Sequence, residues 1–405
     1  MGAACGLELA DIVRQYGGDF RVQHAGQLSR AQLRVLSAIE QCRTAALGGH
    51  VYECDQCGEQ VIVYNSCRNR HCPKCQSLAK ERWLEQRREE LLPVPYVHLV
   101  FTLPDKLHAL ARHNERWFYN LLFRSASDTL LALAADPAHL GALVGVLAVL
   151  HTWTQRLTYH PHLHCIVPAG GLAAGGDRWV AGSEKYFLPV LALGRLFRGK
   201  FLHALKEAAV AGELVWPGES TTGPPPASFQ ALLDALYGQK WVVYCKPPFG
   251  GPEQVLRYLA RYTHRVAISN HRLVRMEGDH VVFTWRDRAD HDRVKEMTLP
   301  TDEFLRRFLL HVLPDRFVRI RYYGLLANRN RQEDLTQCRR LLAESSTAPP
   351  SPSPAPVTDW HELVQRLTGV DPTLCPKCGH GHLQPVGEIA AVRSAGIGLL
   401  ERAPP

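Results

Sequence analysis

Two histidines separated by one intervening residue can bind a single ion when they lie on a strand, because successive strand side chains alternate between its faces. The segment Tyr159-His-Pro-His-Leu-His-Cys-Ile-Val-Pro168 offers this pair in His162 and His164, with Leu163 and Cys165 directed the other way. On its own a His-apolar-His triplet fits a polar strand surface equally well. The preceding run, Leu143–Leu157, adds to it: read as an antiparallel partner strand, it carries His151, Trp153 and Gln155 on one parity. His151 or Gln155 is then placed to supply a third ligand, and a weak oxygen ligand is one of the two outcomes. Such a site leaves positions open for water and phosphate oxygens, as phosphoryl chemistry with Mg²⁺ or Mn²⁺ requires.

A second set of chemically able residues follows about a hundred positions later. Tyr258-Leu-Ala-Arg261-Tyr262 falls in a stretch, Pro252–Thr263, that reads as a helix with proline near its first turn. The i, i+4 spacing puts both phenols on one face, and Arg257, Arg261 and Arg265 form an adjoining basic row. Aromatic pairs at this spacing commonly pack cores. A helix this rich in arginine also suits a DNA strand lying along it, where a phenolate can attack a phosphodiester and become covalently joined to it.

The third set is cysteine. Cys54-Asp-Gln-Cys57 and Cys72-Pro-Lys-Cys75 are two CxxC turns at zinc-ribbon spacing, and they predict one zinc held by Cys54, Cys57, Cys72 and Cys75. Cys67 and His71 lie between them and leave a variant ligand set open. Arg68, Asn69 and Arg70 on the intervening loop fit contact with DNA phosphate, so scaffold and DNA reader are both open roles. Near the C-terminus, Cys375-Pro-Lys-Cys378-Gly-His380-Gly-His382 is half of a similar site, which the two histidines stand close enough in sequence to complete.

These groups need elements to position them, and the rest of the sequence supplies an α+β set. Arg30–Glu40 reads as an amphipathic helix, Ser77–Leu92 as a charged helix stopped by Pro93 and Pro95, and Tyr96–Leu103 as a strand ended by Pro104. Asp105–Ala134 and Val190–Val210 read as helices, Trp241–Cys245 as a strand, and Arg272–Met276 with His280–Trp285 as a hairpin. Gly194–Phe201 comes within one residue of a phosphate-binding loop. Phe201 stands where Ser or Thr is needed and no strand precedes it, so the segment reads as helix. The expected organisation is a helical and zinc-binding DNA-recognition module over 1–92, a catalytic domain over 93–343 with an insertion near 170–240, a Pro/Ser-rich linker over 344–358 and a tail module over 359–405.

Composition bounds the function. Of a net charge of +8, +6 falls between Gly251 and Arg331, where 16 basic residues outnumber 10 acidic ones. This is the electrostatic footprint of a polyanion partner, with an arginine-laced solvated surface as the alternative. Arg319 and Arg321 in this stretch join the helix arginines as candidate DNA contacts. Of the twelve cysteines six fall in CxxC pairs, which suggests metal, not disulfides. No apolar run is long enough for a membrane span and no secretory signal is visible, so a cytoplasmic, nucleoid-associated protein is expected.

The order of these motifs resembles the HUH endonucleases: a strand His98-Leu-Val-Phe101-Thr102-Leu103-Pro104, then the His-apolar-His strand, then the Tyr-x-x-x-Tyr helix. The chain closely resembles the two-tyrosine rolling-circle insertion-sequence transposases of the IS91 type. The likeness runs from the cysteine module through Asn330 and includes Arg257-Tyr-Leu-Ala-Arg-Tyr-Thr-His-Arg265 and Phe304-Leu-Arg-Arg-Phe-Leu-Leu-His-Val-Leu-Pro314. The resemblance implies an HUH palm, a ferredoxin- or RRM-like antiparallel sheet with helices, beside an N-terminal zinc-ribbon-like module. It implies nicking and rejoining of single-stranded DNA at the ends of a mobile element, with Tyr258 and Tyr262 as nucleophiles, His162 and His164 on the ion, and Gln155 preferred over His151 as the third ligand. Structural zinc, target DNA and host replication or helicase machinery complete the implied set. Trp285, Tyr322 and Tyr323 are candidates for stacking unpaired bases. Two rival readings are a plasmid replication initiator or relaxase with the same chemistry, and a zinc-finger regulator without catalysis.

Overall fold

Alternating side chains in three neighbouring strands make one sheet with two distinct faces. In a computed structural model describing residues 6–88, 90–183, 186–248, 254–255, 266–344 and 359–392, these strands are Tyr96–Thr102, Gly145–Trp153 and Tyr159–Pro168. Two more, Ile320–Gly324 and Val243–Cys245, extend the sheet. The order across it is Ile320–Gly324, Gly145–Trp153, Tyr159–Pro168, Tyr96–Thr102, Val243–Cys245, with every neighbour antiparallel. One face carries Val97, Leu99, Phe101, Val146, Ala148, Leu150, Leu163, Cys165 and Val167, all in the main buried cluster. The other carries His98, Val149, His151, His162 and His164, as the period of two demands.

Helices Glu115–Ala135 and Val190–Val210 bury their apolar stripes in the same cluster through Phe118, Leu122, Phe197 and Phe201. The ring of Phe101 meets Phe197 edge-on, with centroids 5.1 Å apart. Gly194–Phe201 lies inside the Val190–Val210 helix, as its sequence indicates. The stretch read as an insertion therefore contributes directly to the core. Its remaining strands, Gly170–Ala173 and Trp179–Ala181, join Ala142–Leu143 in a small separate sheet.

Contacts divide the chain into two compact units, Met1–Trp83 with Ile268–Val312 and Pro356–Pro405, and Leu84–Ala267 with Leu313–Ala355. This differs from the boundaries expected from sequence in two places. The strands Leu273–Glu277, His280–Asp287 and Arg293–Pro300 form their own sheet, and they and helix Thr301–Leu309 belong to the first unit. Polar contacts explain this: Tyr16 Oη donates to the Gly278 carbonyl at 2.9 Å, His24 meets Asp302 at 2.7 Å, and Gln32 Nε2 donates to the Leu309 carbonyl at 3.0 Å. The last segment, expected to stand apart as a tail module, forms strand Leu383–Ile389 and pairs antiparallel with Gly49–Cys54. Residues 345–358, read as a linker, lie outside the described residues.

Local signals hold at the ends of elements. Helix Arg30–Gln41 starts at a capping box in which Ser29 Oγ accepts from the Gln32 N–H at 3.2 Å and Gln32 Oε1 accepts from the Ser29 N–H at 2.9 Å. No described helix is long and apolar enough to cross a membrane.

Phe101 is fully buried between sheet and helix. Phe101→Ala should therefore lower the unfolding free energy by about 3–5 kcal/mol. A urea titration that shifts by less than about 1 kcal/mol would contradict the packing described.

Candidate metal centres

His162 and His164 are fixed by the register of their strand. Across the sheet His164 stands opposite Val149 on one side and Val100 on the other, and His151 stands opposite His162. That last pairing continues the regular ladder that runs from Leu147 with Ile166, and the irregularity comes only beyond it, between His151 and Trp153. His151 lies on the histidine face because it shares the parity of Val149. The loop beyond is tight: Leu157 has φ +59°, Thr154 N–H donates to the Thr158 carbonyl at 3.0 Å, and the two threonine hydroxyls are 2.6 Å apart.

One ring nitrogen of each of His151, His162 and His164 lies within 4.8 Å of the others. His151 and His164 are buried while His162 is partly open, so the group can be reached from one side. Neighbours set the ring tautomers. His162 Nδ1 lies 2.7 Å from the His160 carbonyl, which makes Nδ1 the protonated nitrogen and leaves the Nε2 lone pair for a cation. His164 Nδ1 lies 2.8 Å from His98 Nε2, with the rings stacked 10° from parallel. With His164 binding a cation through Nε2, its Nδ1–H donates to His98 Nε2. The ring of His151 stacks on Trp153 at 4.6 Å. Three imidazoles that bring one ring nitrogen each to a common point are a donor set suited to a divalent ion.

Of the two third-ligand candidates, the structure gathers His151; Gln155 sits in the turn beyond the strand end. His98 was not identified from sequence as part of the centre. Its signal was its parity, since an even-numbered position on the Tyr96–Leu103 strand falls on the histidine face. Tyr258 and Tyr262, with Arg257, Arg261 and Arg265, lie outside the described residues. Tyr159, beside the histidines, is a poor nucleophile: burial pushes its phenol well above the ordinary range, and its hydroxyl lies 3.0 Å from that of Tyr119.

The downstream arginines are absorbed into packing. Arg321 pairs with Ala148 and so points to the helix-covered face, away from the histidines. Its guanidinium lies 4.3 Å from the Phe123 ring centroid and 5.0 Å from that of Phe317, and it donates to Asn120 Oδ1 at 2.6 Å. Arg319 is buried. Tyr322 shares the histidine face with Leu147, and the guanidinium of Arg331 lies over its ring at 5.0 Å. Trp285 lies in the first unit, with Lys295 Nζ 6.0 Å from its ring centroid.

The cysteines assemble differently from the single site expected. Cys72 and Cys75 join Cys42 and Cys67, whereas Cys54 and Cys57 join Cys375 and Cys378. In the first group Cys75 Sγ lies 3.6 Å from Cys42 Sγ and 3.5 Å from Cys67 Sγ, and Cys72 Sγ lies 3.8 Å from Cys42 Sγ. Four thiolates ~2.3 Å from one zinc stand about 3.8 Å apart in a tetrahedron, so the set fits that ion. Cys42 caps helix Arg30–Gln41 and Cys75 sits in the first turn of helix Pro73–Arg88, whose N-terminal dipole favours a thiolate. Hydrogen bonding with Cys42, Cys67 and Cys72 holds the Cys75 thiol far below its usual range. Nothing in the sequence marked Cys42, a lone cysteine outside the CxxC pairs. His71 joins neither group.

Comparison with known proteins gives the setting. Residues 145–333 match a family described as "Putative transposase", and residues 12–103 match one described as "Transposase zinc-binding domain". The chain is 53% identical to the "Putative transposase y4qJ" of Sinorhizobium fredii (strain NBRC 101917 / NGR234) over 94% of its length and 95% of the relative's. It is 30% identical to the "Transposase for insertion sequence element IS801" of Pseudomonas savastanoi pv. phaseolicola, over 87% of its length and 83% of the relative's. No solved structure matches it.

Two outcomes follow from this geometry. His98→Phe removes the acceptor for His164 Nδ1 and should weaken Mn²⁺ binding ~10–100-fold, while His98→Gln, which keeps an acceptor, should recover part of the loss. Calorimetric titration with Mn²⁺ measures both, and equal affinity in His98→Phe and the parent would remove His98 from the centre. Cys42→Ser should cost one zinc per chain and destabilise the N-terminal unit as much as Cys72→Ser does. Zinc content unchanged in Cys42→Ser would return Cys42 to an ordinary buried thiol.

Proposed function

The chain belongs to the IS91-type insertion-sequence transposases, and from that premise we propose that it cuts and rejoins single-stranded DNA at the ends of its element through a tyrosine nucleophile. The observation that carries this reading is the convergence of His151, His162 and His164 on one face of a sheet whose other face is locked to helices. The antiparallel sheet, with histidines on one side and helices on the other, supports assignment as an HUH palm.

A divalent Mg²⁺ or Mn²⁺ ion held by the three imidazoles would polarise the scissile phosphate and offset the charge that builds on it. The chain's own part is to hold those imidazoles neutral and inward. His162 does so by committing Nδ1 to the His160 carbonyl, and His164 by committing Nδ1 to His98. Tyr258 or Tyr262 then attacks phosphorus, the bond to the 3′ oxygen breaks, and the 5′ phosphate is left esterified to the phenol oxygen. The phenol proton passes to solvent, and the departing oxygen takes up a proton to become a free 3′ hydroxyl. Reversal by another 3′ hydroxyl rejoins the strands, and the second tyrosine allows a second cleavage before the first is resolved. An unperturbed phenol pKa of ~10 makes tyrosine a weak nucleophile at neutral pH, so Arg257, Arg261 and Arg265 are assigned to favour the developing charge and hold the DNA phosphates. Strand opening falls to host replication or helicase machinery.

The test uses single-stranded DNA carrying the element's own ends with Mn²⁺. Tyr258→Phe/Tyr262→Phe should form no covalent DNA–protein adduct yet stay folded and bind DNA, because only the hydroxyls are removed. His162→Ala or His164→Ala should lower cleavage by more than the ~10–100-fold typical of an outer-shell change, with DNA affinity nearly intact. An adduct surviving in the double tyrosine variant, or normal cleavage by either histidine variant, refutes the reading.

A further inference from the structure

The second cysteine group joins parts of the chain that are remote in sequence. Cys54 and Cys378 are 324 positions apart, yet their sulfurs lie 3.7 Å from each other, and Cys57 and Cys375 sulfurs are 3.8 Å apart. These are again the spacings of four thiolates around one zinc, at ~2.3 Å from each.

The two CxxC turns share one construction. Each second cysteine is followed by a glycine in the left-handed region, Gly58 at φ +68° and Gly379 at φ +74°. Each of these glycines donates its N–H to the carbonyl of the first cysteine, at 3.1 Å for Gly58 to Cys54 and 3.0 Å for Gly379 to Cys375. Backbone N–H groups also point at sulfur: Gln56 to Cys54 at 3.5 Å and Gly381 to Cys378 at 3.3 Å. Such bonds favour the thiolate over the thiol.

Space around the group is shaped to it. A Cβ at Gly381 would stand 2.4 Å from Cys54 Sγ, so only glycine lets the tail pass there. His380 and His382, which the sequence offers as ligands for the tail cysteines, turn elsewhere. His380 Nδ1 meets the Cys378 carbonyl at 2.8 Å, and His382 Nδ1 meets Thr373 Oγ1 at 3.1 Å. The donor set is therefore all sulfur, which suits zinc. Around it the tail is tied down by Asp55 N–H to the His382 carbonyl at 3.0 Å, by His382 N–H to Asp55 Oδ1 at 2.8 Å, and by the Cys54–Leu383 register. The zinc-binding family match ends at residue 103 and assigns nothing to Cys375 or Cys378.

We propose that Cys54, Cys57, Cys375 and Cys378 bind a zinc ion of their own, separate from that of the Cys42 group, and that this ion clasps the C-terminal segment onto the first hairpin of the N-terminal unit.

Metal analysis of the full-length protein tests it. Cys375→Ser/Cys378→Ser should contain one zinc fewer per chain than the parent. Cys54→Ser/Cys57→Ser should lose the same single ion, and the quadruple variant should lose no more. Unchanged zinc in either pair, loss of more than one ion from either, or iron in place of zinc would overturn the proposal. A readout on the unmodified chain covers variants that fail to fold. Cys57 is exposed and Cys378 partly so, yet both should resist a thiol-alkylating reagent until a zinc chelator is added, and then react together with Cys54 and Cys375. Alkylation of Cys57 and Cys378 at free-thiol rates in the untreated, zinc-containing protein would equally overturn it.

Discussion

The register between strands Gly145–Trp153 and Tyr159–Pro168 is the constraint on which the histidine centre depends. A strand's side chains alternate with a period of two, so a slip of one residue would send every histidine into the helix-packed core and every core residue outward. Leu163, Cys165 and Val167 on one strand and Val146, Ala148 and Leu150 on the other hold that register by burying against the two long helices. Hydrophobic burial thus aims the imidazoles. The ladder is regular from Leu147 to His151 and breaks only beyond it, so His151 meets His162 in the same register as the core pairs.

Orientation within that frame is a matter of hydrogen bonding. Imidazole has two inequivalent nitrogens, and a cation can use only one that lacks a proton. The His160 carbonyl fixes His162, and His98 fixes His164. His98 comes from the strand on the far side of the His162 strand, so the central strand is flanked by one ligand, His151, and one orienting ring. Both flanking contributions require antiparallel neighbours in the observed registers. The residues that look like the site in sequence are therefore the middle third of a structure made by three strands.

How much could be read from sequence follows from the range of each signal. The His162 and His164 pair, the strand pairing and helix Val190–Val210 are set by local periodicity and turn chemistry, and they were legible. Parity alone left His151 and Gln155 equivalent, because which of them stands beside His162 depends on where the strand ends and the turn begins. The cysteine partition was hidden for another reason. CxxC turns declare that a pair points at one ion, but which pairs combine is decided by the tertiary structure, and Cys42 carries no turn signature at all. Arg321 reads as a candidate DNA contact because Asn120 and Phe123, which its guanidinium meets, lie about two hundred positions away in sequence.

The division of the chain shows the same logic at a larger scale. The first unit takes its parts from the beginning, the middle and the end of the sequence. Its first hairpin, Gly49–Cys54 with Gln60–Tyr64, is a two-stranded ribbon, an arrangement marginal in water by itself. The strand Leu383–Ile389 makes it three-stranded, and it arrives only after the whole of the second unit has been traversed. The entropic cost of closing so long a loop grows only with the logarithm of its length, about 0.6 kcal/mol per doubling, so distance in sequence is a weak obstacle. Order of synthesis matters more: Cys54 and Cys57 exist from the start, but their neighbours Cys375 and Cys378 come last. The Cys42 group needs nothing beyond residue 75 and can be complete early. The N-terminal unit can then reach its full hydrogen-bonded form only in a chain that already contains the histidine strand.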